Sequence, residues 1–180
     1  MELKDCILTR RSIRRYTDKP VSRETVEAIV ALASYAPSWK NTQIARYTAI
    51  TDRALIDKLA DECVLGFTHN AGILKGCSVL VIQSIVNKRS GYERDGSFST
   101  TQGTHWESFD AGLAAQTFCL AAQELGVGTC ILGIFDEVKT AAAIGLPEGE
   151  TVSCMIPMGY PDEAPAAPRR KGADELLRWK

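Results

Sequence analysis

The stretch from Glu107 to about Leu125 constrains this chain more than any other. Phe109, Ala111, Leu113, Ala114, Ala115, Phe118, Leu120, Ala121, Ala122 and Leu125 set apolar groups nearly all the way round a helix, which Gly126 and Gly128 end. A helix apolar on every face has to be buried on every face. A chain of 180 residues seldom hides so long a helix by itself. The pattern therefore favours a homodimer with this helix at its centre, where the alanines let helices approach closely. The alternative is a helix packed centrally against the chain's own sheet.

The apolar fraction, 45%, and the charged fraction, 24%, fit one globular domain over residues 1–180. A formal net charge of -1 argues against a nucleic-acid binder, which would be strongly basic. No apolar run is long enough to span a bilayer, and Met1-Glu2-Leu3-Lys4-Asp5 lacks a signal-peptide core, so a cytoplasmic protein with no membrane partner is expected. The six cysteines form no Cys-x-x-Cys and lie mostly in apolar runs, as small buried thiols would. His69 and His105 have no ligand-spaced partner, so no metal site is expected.

In chain order, residues 3–9 read as a short helix. Ser22 caps a helix carrying Val26, Ile29, Val30 and Ala33, which stops before Pro37. A polar loop, Pro37 to Gln43, leads to a strand at about 46–51. Asp52 caps a helix to about Leu65. Residues 77–86 form a continuous apolar run, a strand buried on both faces. Residues 87–104 are polar, with only Tyr92 and Phe98 as aromatics: a loop or lid whose aromatics are expected to cap a substrate space, or a disordered excursion. After the long helix come a strand at 129–132, a helix capped by Asp136 and ended by Gly145, and a last strand at 151–158. A Pro/Ala-rich tail over 162–180 ends in a short helix. The irregular order of strands and helices favours an α+β fold.

The chemistry concentrates in Arg10-Arg11-Ser12-Ile13-Arg14-Arg15-Tyr16. Four arginines within six positions repel one another unless an anion sits among them or water spreads the charge. Guanidinium is always charged and presents a planar fork that matches phosphate oxygens. In an extended segment Arg10, Ser12 and Arg14 share one side and Ile13 takes the other. A phosphate grip follows; a solvated basic turn or a nucleic-acid contact are the other readings. There is no P-loop, no dinucleotide fingerprint and no Gly-x-Ser-x-Gly elbow. Arginines for a phosphate, amides for ring edges and backbone N–H groups for accumulating charge suit FMN.

The chain resembles the nitroreductase family along nearly its whole length. The resemblance is carried by Arg10-Arg11-Ser12-Ile13-Arg14; Ala36-Pro37-Ser38 with Asn41 and Gln43; Asp110-Ala111-Gly112 leading into Leu120-Ala121-Ala122; Glu124-Leu125-Gly126-Val127-Gly128-Thr129; Gly133; and Gly159-Tyr160-Pro161 followed by Arg170-Lys171. It implies an α+β three-layer sandwich, a mostly antiparallel sheet flanked by helices, in an intertwined homodimer to which residues 162–180 contribute. By the same resemblance Arg10, Arg11, Ser12 and Arg14 hold the phosphate and ribityl chain of FMN, with Arg170 and Lys171 reaching it from the tail. Pro37, Ser38, Trp39 and Asn41 come from the other subunit to the isoalloxazine. Ile131, Gly133 and Ile134 face the ring, and an N–H there points at flavin N5. His69 or Asn70 is the nearest match to the amide or lysine that family members place at the pyrimidine edge.

The activity so implied moves hydride from NADH or NADPH to flavin N5, then to a nitroaromatic, quinone or related small-molecule acceptor, in two half-reactions at one site. The flavin carries the chemistry, and no side chain is expected to act as acid, base or nucleophile. A flavin carrier or sensor without reductase turnover is the alternative. Gln43 is followed by Ile44-Ala45-Arg46 where the family often has Pro-Trp, and Trp39 stands where a small residue is usual.

Overall fold

The computed structural model describes residues 2–180; Met1 lies outside them. A four-stranded antiparallel sheet has the order β1-β2-β4-β3, formed by Ala45–Ile50 (β1), Val79–Val86 (β2), Gly128–Thr129 (β3) and Glu150–Gly159 (β4). In chain order the helices are Leu3–Thr9 (α1), Arg23–Ala33 (α2), Arg53–Glu62 (α3), Thr68–Gly76 (α4), His105–Glu124 (α5), Glu137–Ile144 (α6) and Ala173–Leu176 (α7).

The β2 strand explains the layering. Its alternate side chains enter two separate cores, as the period of a strand requires. Leu80 and Ile82 pack with Ile56, Leu59, Leu74 and Met155, under α3, α4 and α6. Val79 and Val81 pack with Val26, Ile29, Phe118 and Ile156, under α2 and α5. The result is the expected three-layer α+β sandwich. Its strand register runs Ala45↔Ile85 to Ile50↔Leu80 and Val79↔Met158 to Val86↔Glu150, with one irregularity at Gln83/Ser84.

Helix starts follow the capping chemistry. Ser22 accepts from Thr25 N, Asp52 from Ala54 N, and Asp136 from Lys139 N, each satisfying a first-turn donor. Three differences from expectation have local causes. Helix α4 was not foreseen: it has no side-chain cap, carries Gly72 and is stabilised by burying Asn70, Ile73 and Leu74. The strand expected at 129–132 is confined to Gly128–Thr129, with Leu132 joined to β4 by an isolated bridge to Met155. The long helix is not buried all round: Phe109, Gly112 and Gln116, at helical spacing, form an exposed stripe on α5, with Phe109 56% exposed.

Residues 87–104 are an ordered excursion. Tyr92 and Phe98 pair with each other, ring centroids 4.8 Å apart, and Phe98 lies on Gly103. They pack on each other at the loop's surface, with Phe98 53% exposed. No described helix is long and apolar enough to cross a membrane.

Candidate functional site

The arginine turn is clamped between β3 and the segment that leaves β4. Ser12 bridges Thr129, and Ile13 N donates to Thr129 O at 2.9 Å. Tyr16 bridges Pro161, Thr17 N donates to Tyr160 O at 2.9 Å and Asp162 N to Arg15 O at 3.0 Å. Two glycines allow this close approach: a Cβ on Gly128 would stand 2.8 Å from Ile13, and one on Gly159 2.9 Å from Tyr16. The Tyr16 hydroxyl lies 2.6 Å from the Ile13 carbonyl and 3.1 Å from that of Pro157, and donates its proton into this pair. Burial pushes the phenol well above its ordinary 10.0, so it stays a donor.

The four arginines are sorted. Arg11 Nη1 donates to the carbonyls of Leu8 and Arg10, at 2.8 and 2.7 Å. Arg15 Nε lies 3.4 Å from Glu163. Arg14 Nη1 donates to Ser12 O at 3.2 Å. Among the described residues, neither Arg10 nor Arg14 has an ion-pair partner. The buried Cys130 follows Thr129, the residue bridged to Ser12. Burial pushes its thiol up, and Arg14, Ser12 and Arg10 pull it back.

Cys130 also starts the neighbouring shelf. Cys130 and Leu132 point into the core, while Ile131 (46% exposed), Gly133 and Ile134 (49% exposed) lie open. Asn70, buried on α4, donates from Nδ2 to Ile134 O at 3.1 Å and fixes the shelf's far end. His69 is exposed and stacks on Phe67, centroids 5.9 Å apart. Of the two pyrimidine-edge candidates, Asn70 is the one bonded to the shelf.

The Pro37–Gln43 loop stands apart from both. Lys40, Asn41 and Gln43 all have left-handed φ, 44°, 55° and 48°, a strain of about 1–3 kcal/mol each that persists only when surroundings impose it. Ser38 Oγ accepts from Gln43 N, and Asp110 on α5 accepts from Trp39 N at 2.9 Å. The same Asp110 oxygen accepts from the buried Ser90 hydroxyl at 2.6 Å, and Lys40 pairs with Glu93 at 3.0 Å. The loop is therefore fastened to the 87–104 excursion. Trp39 packs on Trp106, centroids 4.7 Å, and Trp106 on Phe109, 5.5 Å. A cleft of about 840 Å³ opens beside the loop, lined by Pro37, Ser38, Thr42, Tyr47, Val30 and Ala114 among others, and no residue of the arginine turn reaches it. Trp39 Nε1, Thr42 Oγ1 and Tyr47 Oη are buried without a hydrogen-bond partner among the described residues.

The expected residues thus fall into two groups. Arg10, Ser12, Arg14, Ile131, Gly133, Ile134 and Asn70 form one surface. Pro37, Ser38, Trp39 and Asn41 form another. Arg11 is turned onto backbone carbonyls at the end of α1. Arg170 and Lys171 lie in the exposed tail and make no ion pair among the described residues; a side chain from the segment after β4 that does meet the arginine turn is that of Glu163. Sequence reasoning missed Tyr16, Glu163, Trp106 and the fastening role of Asp110. The only local signal was the proximity of Asp110 and Glu163 to segments already singled out.

The donor set and shelf fit FMN. Two guanidiniums without an ion-pair partner among the described residues and a hydroxyl suit a phosphate, and the open Ile131–Ile134 shelf, free of charge, suits a flat ring.

The nitroreductase family profile matches residues 7–160. A protein of Archaeoglobus fulgidus, provisionally named an NADH dehydrogenase/NAD(P)H nitroreductase, is 30% identical over 161 residues, 87% of this chain and 84% of that one. The NADPH-flavin oxidoreductase of Vibrio harveyi is 27% identical, over 96% of this chain and 71% of its own. A provisionally named nitroreductase from Desulfovibrio desulfuricans, solved in complex with FMN, superposes with a TM-score of 0.78 at 29% identity, covering 100% of this chain and 98% of that one. A nitroreductase family protein from Streptococcus pneumoniae has the same fold, with a TM-score of 0.86 at 18% identity over 99% of this chain and 100% of its own. The arginine turn, the strand it rests on and the glycine shelf beside it belong to a member of the nitroreductase family.

Proposed function

We propose that this protein is an FMN-dependent oxidoreductase that takes hydride from NADH or NADPH and delivers it to a nitroaromatic, quinone or related acceptor. The observation that carries this reading is the placing of the arginine turn: Ser12 is bridged to Thr129 at the head of the Ile131–Ile134 shelf, and Arg10 and Arg14 make no ion pair among the described residues. Arg10 and Arg14 hold the phosphate, and Ser12 adds a donor to the same oxygens. The shelf carries the ring, and Asn70 fixes the shelf's outer edge through Ile134. A bound FMN supplies hydride acceptance and release at N5. The chain supplies orientation and a dry face, and donor and acceptor take that face in turn.

The working unit is a homodimer. The strained Pro37–Gln43 loop and the arginine turn do not share a cleft within one chain, so the partner's loop completes each site. Exposed Phe109 on α5 and the exposed Leu176, Leu177 and Trp179 of the tail are apolar surface that a second copy covers. Each chain is one FMN-binding unit over residues 1–180.

The test is direct. The purified protein is expected to be yellow and to release FMN on denaturation, and NADH or NADPH is expected to bleach the flavin in stopped flow. A colourless protein that takes up no FMN overturns the reading. Flavin that binds but is not bleached by either nucleotide reduces it to flavin binding alone.

A further inference from the structure

The arginine turn contains four cations, and one carboxylate enters it. Glu163 Oε1 accepts from the backbone N–H of Arg14 at 2.6 Å, and its Oε2 lies 3.4 Å from Arg15 Nε. The Glu163 side chain is only 17% exposed, against 72% for Arg15. Its backbone is set by the rungs before it, Thr17 N to Tyr160 O and Asp162 N to Arg15 O. A carboxylate among arginines has two possible meanings. It can fill the anion site itself, or it can arrange the turn while leaving the anion site open. The geometry decides between them. Glu163 bonds the main chain of Arg14 and the side chain of Arg15, and it makes no ion pair with the guanidinium of Arg10 or Arg14. Arg11 is diverted separately onto carbonyls. Arg10 and Arg14, the two that share a side with Ser12, make no ion pair among the described residues, and Arg14 Nη1 rests on the Ser12 carbonyl.

We propose that Glu163 is a positioning residue of the phosphate grip: it fixes the main chain at Arg14 and holds Arg15 aside, so that Arg10, Ser12 and Arg14 present one anion-binding face. The inference rests on the FMN reading above and adds to it a selectivity device. Without Glu163, the Arg14 N–H loses its acceptor and Arg15 loses its tether, and the turn's four positive charges repel with no internal carboxylate to order them. The ring shelf, held by Asn70 and by the Leu132–Met155 bridge, does not depend on Glu163. The device therefore acts on the phosphate end of the cofactor alone.

The experiment is a fluorescence titration of full-length, flavin-stripped protein with FMN and, separately, with riboflavin, which has the ring and ribityl chain but no phosphate. Glu163→Ala is expected to weaken FMN about ten- to a hundredfold, the range for loss of a hydrogen bond to a charged group, with riboflavin affinity unchanged. Glu163→Gln keeps an oxygen for the Arg14 N–H and loses the charge, so its FMN affinity falls between wild type and alanine. Should the alanine variant fail to fold, the ratio of FMN to riboflavin affinity in Glu163→Gln still reads the effect: a lowered ratio supports the proposal and an unchanged ratio overturns it. Tighter FMN binding in either variant would show that Glu163 competes with the phosphate. Equal weakening of FMN and riboflavin would show general damage. Both results overturn the proposal. Wild-type protein that binds neither flavin defeats the FMN reading itself, which is a distinct outcome.

Discussion

Asp110 offers the sharpest test of how the site is held. It is 3% exposed, and its Oδ2 accepts from Trp39 N at 2.9 Å and from Ser90 Oγ at 2.6 Å. One oxygen thus joins α5, the strained Pro37–Gln43 loop and the root of the 87–104 excursion. In Asp110→Ala both donors lose their acceptor. A buried donor without a partner costs about 1–3 kcal/mol, so the pair costs about 2–6 kcal/mol, lowered where water enters. Asp110→Asn retains one carbonyl oxygen that both donors can share, but as a neutral acceptor roughly half as strong, a loss of about 1–2 kcal/mol. The assay is urea unfolding at fixed protein concentration, paired with limited trypsin digestion, because Lys88, Arg89 and Arg94 lie exposed in the excursion. The expected order of stability is wild type, Asn, then Ala, and the alanine variant is cut first within 87–104. If Asp110→Ala matches wild type within about 0.5 kcal/mol, the ordinary range for a surface change, and its excursion resists trypsin equally, the fastening role is refuted.

Gly128→Ala is expected to drive Ile13 off β3, since the new Cβ would stand 2.8 Å from it; overpacking of this kind costs about 1–3 kcal/mol, read by urea unfolding, with FMN binding weakened in the same variant. Tyr16→Phe removes the hydroxyl proton shared between the Ile13 and Pro157 carbonyls, a loss of about 1 kcal/mol. Thermal unfolding checks it, and an unchanged midpoint refutes it. Burial pushes the Cys154 thiol from 9.0 up to about 12 and the Cys77 thiol from 9.0 up to about 11. The fold keeps both protonated while the unfolded chain ionises, so their stability contribution is complete below pH 9 and is lost as pH rises toward about 11–12. Thermal midpoints should fall across that window, and native thiols should resist alkylation below it.

What the sequence disclosed follows from the range of the interactions involved. Ser22, Asp52 and Asp136 each cap a bond no more than three residues away, so their helices were legible. The sharing of one side by Arg10, Ser12 and Arg14 is a period-two property, equally local. Helix α4 was silent because its stability comes from burying Ile73 and Leu74 against another layer. Glu163 and Arg14 are 149 positions apart, Asp110 and Trp39 71 apart, and no local pattern connects either pair. Only the folded chain shows that a tail carboxylate meets the arginine turn.

The long helix is the instructive case, because its sequence asked for more than one chain provides. All-round apolarity implied all-round burial, yet Phe109, Gly112 and Gln116 remain open on α5. A single folded chain satisfies the helix against α2 and the sheet and leaves this stripe over. Phe109 is also the outer member of the row Trp39, Trp106, Phe109 that extends from the strained loop. The exposed Phe109 and the strained loop therefore lie on one aromatic row. A residue composition set by the assembled state would leave that signature on an isolated chain, and a second copy closing over the stripe would cover Phe109 and bring the strained loop toward a neighbouring shelf in one movement.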